Sequence, residues 1–416
     1  VQVGRRLIIY VQGYDPRGLA EYYRIFRREY RETCSLYGLS GDVGKPANDP
    51  ARHVTTWNAS TGGEDWRVDT RYMFLRWEDI IRRDFARPFW WKIAAMYYAL
   101  GIAILNGVVA RIMRAHWRFG LFTLYPMVLM TFWIAMGVVT GLALDEIASN
   151  LGVPHWLGVA VGAVAGFAVF SSALWLTGPQ TYLLYLCDDV ASTYQYAHRR
   201  RPDWEERMET FAEYVVDAVR TSGADEVVIV GHSSGSFLAV DVVDRALNRD
   251  PALGRQGPAV RLLTIGANLP IVGFHKPAGW FRDKIARLGA SNQIDWIDFQ
   301  SRHDIMNFWP FDPVADHGID LGPERRNPHV VAVNFRDLWA SDDFERRRWH
   351  FFRAHFQFLL ANERLGAAYD YYLICCGPFD LLTRATEPDR VIAAMAPKMG
   401  TRAARNVELL KSGDVV

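Results

Sequence analysis

The sequence predicts an α/β protein: a mostly parallel sheet flanked by helices, with an inserted membrane helical hairpin. Three observations carry this. Short apolar runs rich in β-branched residues recur between longer helical patterns. One of them, Val227–Val230, breaks into Gly231-His232-Ser233-Ser234-Gly235 and continues into the helix-compatible stretch Phe237–Leu247, which is strand, tight serine turn, helix. Leu121–Leu144 spans 24 residues without a charged group, and Ile147–Cys187 contains no Asp, Glu, Lys or Arg.

Taken in order, Arg5–Val11 reads as a buried strand entering the loop Gln12-Gly13-Tyr14-Asp15-Pro16. Leu19 to Tyr37 follows as a helix, with Tyr22, Tyr23, Phe26 and Tyr30 spaced to share a face. Residues 40–65, rich in Gly, Asp, Asn and Pro, read as a long surface loop. Asp69–Trp77 is a second strand, and Glu78–Arg87 a short charged helix.

The composition then shifts. Trp90–Ala110 is mostly apolar but carries Lys92 and Asn106. Residues 121–144 and 155–176 are each long enough to cross a hydrocarbon core of about 30 Å at about 1.5 Å per helical residue. Core helices of that length normally keep a polar face, and these have none. Gly137/Gly141 and Gly158/Gly162/Gly166 repeat at the four-residue spacing that allows close helix contact in a bilayer.

Beyond the basic run His198-Arg199-Arg200-Arg201, Trp204–Arg220 reads as an amphipathic helix. Strands are predicted at 260–265, 293–299 and 329–335, a helix at 278–288, and a Pro-, Asp- and Gly-rich loop at 307–328. Asp342 to Leu365 reads as a helix with Asp342 and Glu345 spaced as a capping box. The tail after Pro388 has no strong pattern. The expected organisation is a first part of the main domain at 1–88, a membrane insert at 89–180, the remainder at 181–385 and a tail at 386–416.

Composition narrows the partners. A formal net charge of +1 gives no reason to expect nucleic acid. Four cysteines, two of them adjacent, make neither a disulfide framework nor a C-x-x-C metal pair. The chain opens on Val1 rather than Met, consistent with an upstream piece, and its first apolar run, Leu7–Val11, is too short for a signal peptide. The mean hydropathy of −0.05 averages a greasy middle with charged flanks.

Ser233, at the apex of the turn, is the candidate nucleophile. A serine hydroxyl needs a base to take its proton, and that base needs a carboxylate to fix its tautomer. In doubly wound sheets such groups lie on loops beyond the carboxyl ends of strands. Asp304 follows the strand 293–299, with Asp298 and Asp312 as rivals. His355 and His350 follow the strand 329–335 and compete for the base. His232 reads as a neighbour of the nucleophile rather than the base. His303 is equally readable as a loop residue, and His329 as the start of a strand.

On these residues the chain resembles the α/β-hydrolase superfamily of serine esterases and lipases, over about residues 5–85 and 180–385. The carriers are the Gly231–Gly235 motif, Asp304 and a late histidine, in the order Ser, Asp, His. The resemblance implies acyl transfer through an acyl-enzyme, with no metal or organic cofactor. It implies an oxyanion hole from the backbone N–H of Ser234 and from the loop Gly13-Tyr14, worth several kcal/mol of barrier. The chain departs from the family in having no room for strands before 5–11 and in an insert that is not a standard lid.

The expected function is a membrane-anchored serine hydrolase cleaving lipid-like carboxylic esters, with the bilayer and the ester as partners. The alternative is a catalytically inactive membrane-tethered scaffold of the same fold. A transporter is disfavoured because neither membrane segment holds a charge to line a path. Arg82, Arg83, Arg87 and Lys92 precede the first apolar segment, Arg111, Arg114 and Arg118 follow it, and the loop between the two long segments is expected to carry Asp145 and Glu146. Positive-inside bias then predicts two crossings, residues 90–118 along the interface, and a main domain cytoplasmic at the inner membrane.

Overall fold

The computed structural model describes residues 2–340 and 350–396. They divide into two compact units, one of the described residues up to 82 with those from 199 onward, the other of residues 83–198.

The first unit is built on a sheet of nine strands among the described residues, in the order β2 (Ser40–Val43), β4 (Val54–Gly62), β5 (Arg67–Leu75), β1 (Arg5–Val11), β6 (Glu226–His232), β7 (Ala259–Ile265), β8 (Ile294–Gln300), β9 (His329–Ala332), with β3 (Ala47–Asp49) on β4. The central strands β1, β5, β6, β7, β8 and β9 run parallel. Parallel strands need long crossovers. Here these include α1 (Leu19–Tyr37), and α8 (Pro202–Thr221), α9 (Gly235–Arg249) and α11 (Gly279–Ala290) on the later strands. β6 is buried along its whole length, as its unalternating Val-Ile run requires.

Residues 40–65 correct the expectation of a loop. They form β2 (Ser40–Val43), β3 (Ala47–Asp49) and β4 (Val54–Gly62), an antiparallel extension beyond β5. The turn-rich composition masked β4, in which Thr55, Trp57, Ala59 and Thr61 are buried and alternate with more exposed neighbours, the pattern of a half-exposed strand. Trp57 stacks on Tyr72 at 4.4 Å between ring centroids, and Phe26 packs edge-on against both. Of the four aromatics predicted to share a face of α1, Tyr22, Phe26 and Tyr30 are buried and Tyr23 is half-buried.

Arg6 lies in the middle of this apolar sheet, 1 % exposed. Its guanidinium bonds Glu226 at 2.6 Å and the carbonyls of Gly377 and Phe379 at 2.7 Å each. The charge is thus fully occupied, and it ties β1 to the segment following the helix Tyr371–Cys376.

Three later predictions change. The capping box of Asp342 and Glu345 lies outside the described residues; the described part of that predicted helix is one short helix, Phe351–Phe356, and a 3-10 turn, Gln357–Leu359. β9 stops at Ala332 rather than Phe335, where Asn334 caps a 3-10 turn by accepting from Arg336 N–H. Residues 388–395 are helical, because Val391 and Met395 bury against Tyr37, Leu373 and Phe379.

The second unit holds α3 (Phe89–Leu105), α4 (Val108–Ala115), α5 (Trp117–Asn150), α6 (His155–Thr181) and α7 (Leu183–Ala197). α5 and α6, of 34 and 27 residues, are long and apolar enough to cross a membrane and are joined by a four-residue turn. Gly137 and Gly141 face Gly166 and Gly162; a Cβ on Gly137 would sit 2.7 Å from Gly166 O, and one on Gly141 2.9 Å from Gly162 O. Met96, Leu100, Met130, Leu174, Leu183 and Cys187 form this unit's own core. α7 went unrecognised in the sequence, hidden at the end of an uncharged run. Lys92 pairs with Asp188 on α7 at 2.6 Å, both buried, which explains a charge in an otherwise apolar helix.

Candidate active site

The chain leaves β1 toward β5 on one side and returns to place β6 on the other, so β1/β6 is a topological switch point. At such a point the connections on opposite faces leave a crevice beyond the strand ends. The loop after β1 and the turn after β6 both lie there.

Ser233 occupies that turn with φ of 57°, a left-handed conformation that a non-glycine residue adopts only under constraint. Its N–H donates to Ile265 O at 3.2 Å, and its carbonyl accepts from Ser236 Oγ at 2.6 Å. The flanking glycines are sterically required. A Cβ on Gly231 would lie 2.5 Å from Gly235 O, and one on Gly235 would strike the backbone of Val11 and Gln12 in the neighbouring strand. Gly13 brings the other loop equally close: a Cβ there would meet His232 O at 3.2 Å, Ser233 Cβ at 3.4 Å and Ser234 N at 3.5 Å. The loop at Gly13 and the backbone N of Ser234 are therefore adjacent. Tyr14 itself is buried, its ring 6.0 Å from Trp77 and 5.9 Å from Trp204.

Asp304, on the loop after β8, and His355, in the helix Phe351–Phe356, meet: Nδ1 of His355 is 2.6 Å from Asp304 Oδ2, and both groups are buried. Asp304 Oδ1 accepts from Met306 N–H at 2.8 Å. With Nδ1 donating to the carboxylate, Nε2 of a neutral His355 is the basic nitrogen. That Nε2 is buried and has no hydrogen-bond partner among the described residues. The rival His350 is exposed, at the N-terminus of the same helix.

His232 lies under the pair. Its ring stacks on His355 at 4.7 Å between centroids, and its Nε2 is 3.2 Å from His355 O, to which a neutral ring donates. Burial first, then the neighbouring His355, hold its imidazole well below the ordinary histidine range. It is a neutral support for the His355 backbone.

The other candidates are occupied elsewhere. Asp298 sits inside β8, bonded to Thr264 Oγ1 and Gln300 Nε2 at 2.6 Å each, its carboxyl pushed up to about 6 by burial. Asp312 caps its own turn through Val314 and Ala315 N–H. His303 stacks on Phe335 at 6.2 Å, and His329 opens β9. Among the described residues, no group of three or more His, Cys, Asp or Glu side chains could hold a metal ion.

The sequence reading missed Ser236 and Asn268. Ser236 Oγ donates to Ser233 O and accepts from Asn268 N–H at 3.0 Å, joining the turn to the loop after β7. The amide of Asn268 reaches to 3.4 Å from Ser233 Oγ. The signal was available, since Asn268 stands just past the carboxyl end of a predicted strand.

Fold and site together define a class: a mostly parallel α/β protein with a strained serine and a buried Asp–His pair at its switch point, and two long apolar helices. Comparison with known protein families, with curated proteins and with solved structures finds no match to this chain.

Proposed function

We propose that the protein is a membrane-anchored serine hydrolase of the α/β-hydrolase type that cleaves carboxylic esters through an acyl-enzyme. The observation that carries this reading is the Asp304–His355 bond beside a serine held at positive φ. Ser233 Oγ attacks the ester carbonyl as His355 Nε2 takes its proton. Asp304 holds the imidazole by Nδ1 and balances its charge. The oxyanion is received by Ser234 N–H and the Gly13-Tyr14 backbone. His355 then protonates the leaving alcohol, and water, deprotonated by the same nitrogen, releases the acid.

Lipid-like esters are the proposed substrates. Among the described residues, all but two of the exposed large apolar side chains lie between Phe89 and Tyr182, the exceptions being Val330 and Phe351. A bilayer is the solvent that suits such a surface, and a domain tied to it meets lipid-soluble esters at high local concentration.

One observation favours the second reading, a binding protein that does not turn over. His355 Nε2 has no bond from Ser233. A fluorophosphonate probe decides between them. Labelling of the wild type and its complete loss in Ser233→Ala supports the hydrolase; an unlabelled wild type, or a mutant labelled at the wild-type rate, rules it out.

A further inference from the structure

Asn268 is 5 % exposed, on the loop after β7. The amide atom nearest the nucleophile lies 3.4 Å from Ser233 Oγ. Two carbonyls determine which atom that is. With Nδ2 turned away from the serine, it donates to Ala267 O at 3.2 Å and Met306 O at 2.6 Å. The opposite orientation sets Oδ1 against those same carbonyl oxygens, acceptor to acceptor. The satisfied orientation leaves Oδ1, an acceptor, 3.4 Å from Ser233 Oγ, so that the serine hydroxyl is the donor of this contact. A hydroxyl has one proton to give. Consistently, His355 Nε2, which would compete for that proton, is without a partner among the described residues.

We infer that Asn268 is a positioning residue that holds the Ser233 hydroxyl in a resting orientation, turned from His355, so that rotation of the serine precedes attack. The inference rests on the hydrolase reading above. No bond is made or broken in this step: the proton stays on Oγ and exchanges Asn268 Oδ1 for His355 Nε2 as acceptor. Ser236 keeps the two loops in register while the side chain turns, because its contacts are to backbone atoms of the turn and of Asn268.

The test uses the full chain in detergent. One neutral hydrogen bond corresponds to a factor of about 2 to 10 in a population. Asn268→Ala should therefore raise the rate of fluorophosphonate labelling by about that factor. Its labelling–pH profile should shift to lower pH, because a serine now donating to neutral His355 stabilises the unprotonated ring. Asn268→Leu, which retains the bulk without the acceptor, should behave alike if the alanine variant does not fold. A second arm needs no activity. In histidine 15N spectra, Ser233→Ala should leave the His355 ring signals in place when Asn268 is present and shift them in the Asn268→Ala background. An unlabelled wild type overturns the hydrolase reading, while the spectra still decide the resting orientation. Unchanged labelling and pH profile in folded Asn268 variants, or His355 signals that shift on Ser233→Ala with Asn268 in place, overturn the inference.

Discussion

At the scale of single residues, the pair Asp304–His355 invites the first prediction. If it serves Ser233 as proposed, Asp304→Asn and His355→Ala should each lower kcat for ester hydrolysis by about a thousandfold or more. His350→Ala should leave it nearly unchanged, since that ring is exposed and the described contacts of Asp304 go elsewhere. Steady-state kinetics on a soluble chromogenic ester checks all three. A second prediction concerns pH. Burial pushes the His317 imidazole down to about 4, against about 6.5 in an unfolded chain. Between those values the unfolded chain binds a proton that the folded one refuses, so this stability is present above pH ~6.5 and is lost as pH falls toward ~4. Asp298 and Asp370, both pushed up to about 6 by burial, act in the opposite sense, losing stability as pH rises through that value. The signature is therefore a difference: His317→Gln should show a smaller fall in melting temperature than the wild type between pH ~6.5 and ~4. Equal falls would show that His317 is not the titrating group.

At the scale of elements, two contacts carry most of the consequence. Arg6 joins β1, β6 and the segment after the helix Tyr371–Cys376 through a buried ion pair and two carbonyls. Removing one partner of such a pair leaves a buried charge alone, at a cost of about 3–5 kcal/mol. Arg6→Ala should thus lower stability to chemical denaturation by that order, whereas Arg5→Ala, on the exposed end of the same strand, should not. In the second unit the α5–α6 contact depends on glycine. Side chains at Gly141 and Gly162 would run into the facing backbone, and overpacking of this kind costs about 1–3 kcal/mol. Gly141→Leu should lower the melting temperature of that unit in detergent, followed by tryptophan fluorescence, while Val139→Leu, 60 % exposed, should not.

At the scale of the whole molecule, β1 constrains topology. It pairs with β5 before the apolar segments and with β6 after them. Both flanks therefore lie on one side of any membrane, and the number of crossings is even. Two crossings by α5 and α6 satisfy this. They also leave Arg111, Arg114 and Arg118 on the same side as the flanks, with Asp145 and Glu146 inside α5 near its far end rather than in the turn, in accord with the positive-inside tendency. The four native cysteines are buried, so cysteines introduced singly at Ser149 and Ala115 report cleanly. An impermeant maleimide on intact cells should label position 149 and spare 115; the reverse would overturn a cytoplasmic hydrolase domain. If the proposed hydrolase is tied to a bilayer by α5 and α6, it should turn over medium and long acyl chains faster than acetate esters, to be checked by an ester series in detergent.

Local chemistry accounts for what the sequence determined by itself. An unalternating Val-Ile run, a Gly-x-Ser-x-Gly turn and a helical pattern are consecutive in the chain, so strand, turn and helix were legible without knowledge of neighbours. The same holds for α1, β1 and the two long apolar helices, whose signals are periodicity and length. The extra strands at 40–62 were not legible, because their stability comes from Trp57 stacking on Tyr72, a partner in β5. Distance in sequence also hid the site. Asp304 and His355 are 51 positions apart, and the choice of His355 over His350 was open until one ring proved buried against the carboxylate and the other exposed. Asn268 reached the serine only through a crossing of loops from adjacent strands. Tertiary structure decided these points because hydrogen bonds and ring contacts act over a few ångströms of space, and only folding converts positions in the chain into distances.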